Sequence, residues 1–253
     1  MIGHEGIQSA LEKLARRNAL SHAYLFFGDA EIGKASFAEQ FANLIEKGIF
    51  EKPSTQLLDT AVFGPNEKGN IGIDEVRGIK RFLWQTPLSS SKRIAIIDGA
   101  DALTPEAQSA MLKIVEEPPS HGLLIFVTHD SEALLAPLVS RLSKIYFSRL
   151  SIEKVEQYLV TTGISEKKAG EIAAKSYGRI GRALRLLQGG TTEEETVLQA
   201  LEEEILSLRS AGIVKNSTKL SWLLAREESV KRFNVNPNIQ KKAIEYMVNR
   251  SYN

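Results

Sequence analysis

Residues 28–35 read Gly-Asp-Ala-Glu-Ile-Gly-Lys-Ala. They match the phosphate-loop pattern G-x-x-x-x-G-K-[ST] at Gly28, Gly33 and Lys34, and miss it at Ala35. The chemistry of such a loop is anion binding. Glycines let backbone N–H groups turn toward phosphate oxygens, the dipole of the following helix favours negative charge, and the lysine ammonium neutralises the outer phosphates. A hydroxyl at the last position would hold Mg²⁺, and Ala35 has none. Ser36 lies one residue on, roughly 100° around a helix, and is a poor substitute. The other half of a phosphoryl-transfer site needs a carboxylate to organise the metal and a second to polarise the attacking water. Asp98 ends the apolar run Arg93–Asp98 and fits the first role, but Gly99 stands where the second is needed. Two independent losses predict a loop that retains the groups to hold a nucleotide without those to hydrolyse it.

The elements that must carry these residues follow from periodicity. Ala23–Phe27 is a short apolar run that reads as a buried strand entering the loop, and Lys34 opens a helix to about Lys47, with Phe37, Phe41, Leu44 and Ile45 on its apolar side. Arg93–Asp98 and Gly122–Thr128 are further buried strands, and Lys144–Phe147 is a short one. Residues 7–20 read as an amphipathic helix. A second helix is predicted from Asp74 as N-cap, with Val76, Ile79, Phe82 and Leu83 inward. Thr104 caps a third, which has Pro105 at its first position and ends before Pro118. Residues 48–72 read as irregular. This alternation predicts an α/β fold, a parallel sheet with helices on both faces. After Leu150 the strand signals stop. Residues 151–188 read as a small helical unit broken at Gly163 and Gly178, residues 189–192 as a linker, and the remainder as charged helix. The glutamate triplets 193–195 and 202–204 read as solvated faces.

Composition narrows the alternatives. With no cysteine among 253 residues, disulfides and thiolate zinc sites are excluded. His4, His22, His121 and His129 show no metal-ligand spacing, so no zinc or other metal site is expected. There is no signal-like leader and no apolar run near the ~20 residues that span a bilayer, so the expectation is a cytoplasmic chain without a membrane. The net charge of +1 neither demands nor excludes a nucleic-acid partner.

Several segments together resemble a known family. They are Ser21–Gly28 (S-H-A-Y-L-F-F-G), Ile73–Arg77 (I-D-E-V-R), Ile96–Pro119 (I-I-D-G-A-D-A-L-T-P-E-A-Q-S-A-M-L-K-I-V-E-E-P-P) and Leu134–Leu142 (L-L-A-P-L-V-S-R-L). In order and spacing, over about residues 7–190, these resemble the clamp-loader subunits of bacterial DNA polymerase III in the AAA+ class, and among them the delta-prime type. The resemblance implies an AAA+ P-loop domain over 1–150, a small helical lid domain over 151–190 and a short helical collar-like segment over 191–253. It implies gamma/tau-like and delta-like partner subunits, a sliding clamp and primer–template DNA. It also implies a role for Arg141, which with Ser140 and Leu142 matches the family's Ser-Arg-Cys motif: an arginine finger that reaches a neighbour's ATP site. Thr128 falls at the family's first sensor of the γ-phosphate. In Gly178–Leu184 (G-R-I-G-R-A-L) the second-sensor arginine of hydrolysing members falls on Gly181.

Cofactor-site residues on this reading are Gly28, Gly33, Lys34, Ala35, Asp98 and Thr128, with ATP as the possible ligand. Arg77, Lys80 and Arg81, on the predicted helix after Asp74, are candidate DNA contacts. The four-cysteine zinc module that many relatives carry before I-D-E-V-R is absent. Two alternatives remain: an active gamma/tau-like ATPase in which Ser36 and Asp101 compensate, and a P-loop kinase, which would need a lid and an acceptor pocket.

Overall fold

The structure, a computed structural model, describes residues 3–188, 201–209 apart from 203 and 206, 216–232, and 243–244. Five parallel strands form one sheet: β1 (Ala23–Phe27), β2 (Thr60–Phe63), β3 (Arg93–Asp98), β4 (Gly122–Thr128) and β5 (Ser143–Tyr146). Their order is β2-β3-β4-β1-β5. The helices are α1 (Glu5–Arg16), α2 (Lys34–Lys47), α3 (Ile73–Leu83), α4 (Pro105–Glu116), the short α5 (Ala136–Val139), α6 (Ile152–Thr161), α7 (Glu166–Ser176) and α8 (Ile180–Leu187). The predicted α/β parallel sheet is therefore present.

Period-two alternation divides each central strand between two cores. Ala23 and Leu25 of β1 face one side, with Ala95, Ile97, Leu124 and Phe126, and meet Val76, Ile79 and Leu83 of α3 and Met111 and Ile114 of α4. Tyr24 and Phe26 face the other, with Ile94, Ile96, Leu123 and Ile125, and meet Leu11 of α1 and Phe37 and Phe41 of α2. A strand buried on both faces has no polar side, which is why these segments read as continuous apolar runs.

Two local readings are corrected. Residues 48–72 are not wholly irregular, because Thr60–Phe63 pair with β3 at the sheet edge in the register Thr60↔Ile94 to Phe63↔Ile97. And α3 is entered through Gly72, not Asp74. The Glu75 carboxylate accepts the Gly72 N–H at 2.8 Å and an Asn66 amide N–H at 2.9 Å, while Asp74 pairs with Arg77 at 2.7 Å in the first turn. Thr104 does cap α4, its hydroxyl accepting the Ala107 N–H at 3.2 Å.

The segment that lacks a zinc module is held by hydrogen bonds instead. Glu46 accepts the backbone N–H groups of Leu58 (2.6 Å) and Asp59 (3.0 Å), and Asn43 donates to the Glu51 carbonyl at 3.0 Å. Asp59 is the larger knot. Its carboxylate, fully buried, accepts N–H groups from Leu88, Ser89 and Ser90 and pairs with Arg93 at 2.8 Å. Arg93 also donates to Leu58 O and Gln85 Oε1. The loop between α3 and β3 is thus tied to the start of β2.

The chain divides into two compact units, Met1–Leu184 and Arg185–Asn253. In the second, Leu201, Ile205, Leu220, Leu223 and Ile244 form a small apolar cluster, partly carried by the Ser217–Arg232 helix. Linker residues 189–192 and the triplet at 193–195 lie outside the described residues, as does Glu203 of the second triplet. No described helix is long and apolar enough to cross a membrane.

Candidate functional site: a nucleotide-type cavity at the carboxyl edge of the sheet

Parallel strands bring their carboxyl ends to one edge, where β1, β4 and β3 lie side by side. A cavity of about 430 Å³ opens there, within the range of small-molecule sites. Gly33, Lys34 and Ala35 from the loop line it, with Asp98 and Gly99 after β3, and Thr128 and His129 after β4. Tyr158 of α6 and Ile180, Gly181 and Leu184 of α8 close one side. Five of the predicted cofactor residues therefore meet in one space. Gly28 does not line it. Its φ of 138° and the 2.2 Å from a would-be Cβ to the Phe147 carbonyl oxygen make it the tight turn out of β1 that only glycine fits.

The first N–H groups of α2 have no helical acceptor, since the helix ladder begins with Phe37 N–H donating to Gly33 O. They are available to an anion. Lys34 sits under them, buried, its ammonium donating to the loop carbonyls of Gly28 (2.7 Å) and Asp29. Burial pulls its pKa down to about 8, against the attraction of Asp29, Asp101 and Asp98. Arg149 pairs with Asp29 at 2.5 Å, fixing the loop's outer side. Burial raises the Asp98 pKa, opposed by the Gly99 N–H and by Lys34.

Magnesium fits less well than phosphate. Ala35 offers no side-chain oxygen to the cavity, and the Ser36 hydroxyl accepts an N–H of Gln40 at 3.1 Å along the helix. Asp101 is also engaged. Its Oδ1 accepts the Thr128 hydroxyl at 2.8 Å, and its Oδ2 pairs with His129 Nδ1 at 3.2 Å. Burial alone would raise the Asp101 pKa, but the bonds from His129 and Thr128 outweigh it and hold the carboxyl at about 2. Thr128 thus contacts Asp101 from the end of β4.

At Gly181 α8 touches the loop. Its N–H donates to Glu31 O at 2.7 Å, and a Cβ there would lie 3.0 Å from both Glu31 O and Glu31 Cβ.

The remaining predicted residues lie elsewhere. Arg141 stands two residues before β5, at the amino edge of the sheet, a strand's length from the cavity. It is half-exposed, pairs with Glu116 at 2.7 Å and donates to Pro137 O at 2.8 Å. Arg77, Lys80 and Arg81 occupy the solvent side of α3, Lys80 lying over the Trp84 ring at 5.3 Å. Sequence reading missed His129. Its signal was its position immediately after Thr128, at the end of a buried strand.

The family described as "DNA polymerase III, delta subunit" matches residues 3–151, more than half of the chain. The chain belongs to this family. Among curated relatives of this delta-subunit family member, DNA polymerase III subunit delta' of Pseudomonas aeruginosa is 30% identical over 151 residues, covering 53% of this chain and 45% of the relative. DNA polymerase III subunit gamma/tau of Mycobacterium tuberculosis H37Rv is 30% identical over 154 residues, 56% of this chain and 27% of the relative. The chain thus spans about a quarter of the length of such gamma/tau relatives. DNA polymerase III subunit gamma of Buchnera aphidicola is 25% identical over 258 residues, 90% and 71% of the two chains. Among solved structures, a gamma subunit-related protein of Thermotoga maritima superposes with a TM-score of 0.55 at 20% identity, covering 94% and 97% of the two chains. The RuvB Holliday junction branch migration motor of T. maritima gives 0.54 at 16%, over 97% and 70%. These share the fold, which is the AAA+ P-loop arrangement of sheet and helices.

Proposed function

We propose that this chain is a delta-prime-like subunit of a clamp loader. It retains a nucleotide cavity, does not hydrolyse ATP, and places Arg141 in the ATP site of a neighbouring gamma/tau-like subunit while the sliding clamp is loaded on primer–template DNA. The observation that carries the reading is the opposition of the two ends of the sheet. At the carboxyl edge the cavity has Lys34 and free helix N–H groups but no hydroxyl at 35 and no carboxylate at 99. At the amino edge, a strand's length from that cavity, the half-exposed Arg141 is held by a pair with Glu116 and a bond to the Pro137 carbonyl on its own turn. Such a pair is worth about 0–1 kcal/mol, so Arg141 can leave it for a neighbour's phosphates at little expense. The active-ATPase alternative needs Asp101 to polarise water, and both of its oxygens are already engaged by Thr128 and His129.

The test is reconstitution of the assembly with DNA and clamp. Arg141→Ala is expected to leave assembly intact and slow ATP turnover by about 10³, the size of effect arginine fingers give. Lys34→Ala is expected to leave turnover unchanged. Turnover lost with Lys34→Ala would instead favour the active subunit, and turnover indifferent to Arg141 would remove the trans role.

A further inference from the structure

His129 lines the cavity and has no task in the proposed function. It follows β4 directly, its side chain is 58% exposed toward the cavity, and its Nδ1 lies 3.2 Å from Asp101 Oδ2, while its backbone N–H lies 3.4 Å from Asp101 Oδ1. Asp101 is itself fixed by the Thr128 hydroxyl at 2.8 Å and is only 17% exposed. An ionised carboxylate on Nδ1 selects the tautomer with its proton there. A neutral His129 then has Nε2 as an acceptor, unable to donate to a phosphate. Only the imidazolium keeps Nδ1–H on Asp101 and offers Nε2–H to an anion.

We propose that His129, oriented by Asp101, is a phosphate-contacting group of this cavity that works only as the imidazolium, so that metal-free nucleotide binding takes up a proton. Resting on the reading that the cavity holds a nucleotide, this names what replaces part of the positive charge lost with the Mg²⁺ ligand at Ala35. The carboxylates facing His129 raise its pKa and Lys34 opposes them. The bond to Asp101 raises its pKa most, burial lowers it, the Asp101 charge raises it, Lys34 lowers it and Asp130 raises it, for a net rise. Lys34 and His129 are thus close enough to feel each other across the space where a polyphosphate would lie.

The experiment is calorimetric titration of the full chain with ATP in excess EDTA, from pH 6 to 8.5, in two buffers of different ionisation enthalpy to count protons. Affinity is expected to rise on the order of tenfold toward pH 6, as a charge-assisted bond forms. Lys34, with its pKa near 8, contributes uptake of its own at the upper end. The comparison that matters is therefore with His129→Gln, where the probe and Lys34 titrate as before. That variant is expected to lose the His129 share of proton uptake and flatten the profile below pH 7.5. Asp101→Asn is expected to move the remaining profile to lower pH. Equal profiles and equal proton counts in the native chain and His129→Gln would overturn the proposal while leaving nucleotide binding standing. No binding at any pH would overturn both.

Discussion

Gly181 shows how a single residue type can record a close approach of two backbones. A glycine at the head of a helix is ordinarily a weak choice, about 1 kcal/mol worse than alanine in a helix interior. Here the backbone of α8 comes so close to Glu31 that a Cβ would sit 3.0 Å from its carbonyl oxygen, and the Gly181 N–H uses that approach for a 2.7 Å bond. A side chain at this place is accommodated only if the Glu31 backbone gives way. Gly181→Arg is therefore expected to destabilise the chain by about 1–3 kcal/mol, the usual size of an overpacked contact with backbone. A lowered midpoint in denaturant unfolding would register it, and an unchanged midpoint would show that the loop gives way. The phosphate loop itself was legible in sequence, because its meaning is local: glycine, glycine, lysine, with a missing hydroxyl. The Asp101–His129 pair was not, because it joins residues on two strand ends that only the parallel sheet brings together.

Elements were legible where burial wrote a continuous pattern. β1, β3 and β4 have apolar residues on both faces, and α4 announces itself by Thr104 and Pro105. β2 was hidden because it is four residues at an edge, partly exposed, paired on one side only. Its position depends instead on the Asp59–Arg93 knot, and this gives a prediction at the same scale. Removing one partner of a buried pair leaves the other uncompensated, so Asp59→Ala is expected to cost about 3–5 kcal/mol. The pH dependence has a definite sign. Burial would raise the Asp59 pKa, but the N–H groups of Leu88, Ser89 and Ser90 and the Ser89 hydroxyl outweigh it and hold the carboxyl well below the usual range. A depressed folded-state pKa contributes stability that is complete above the unfolded value, about 3.9, and is lost as pH falls through the folded value. The stability gap between the native chain and Asp59→Asn should therefore narrow steadily below pH 4. A gap constant down to pH 2 would show that the carboxylate charge is not what holds the loop.

At the scale of the whole chain, the cavity and both apolar cores belong to one compact unit. Every cavity residue, from Ala30 to Leu184, falls within Met1–Leu184, and the two cores flanking the sheet are formed between Leu11 and Phe147. The second unit has its own smaller cluster around Leu201, Leu220 and Leu223. Among the described residues, neither core flanking the sheet includes a member of the second unit, so a chain ending at Gln188 should retain the cores that stabilise it and the loop, strand ends and α8 that shape the cavity. If the second unit acts as a collar, the same truncation should remove the chain from the assembly. The expected result is a cooperative thermal transition and ATP–EDTA binding within about threefold of the intact chain, a difference of under about 1 kcal/mol, together with loss of co-elution with partner subunits in gel filtration. Co-elution that survives truncation would locate assembly in the first unit. Loss of the cooperative transition would mean that the second unit is needed for the first to fold, and the division into two units would then describe contact density without independent stability.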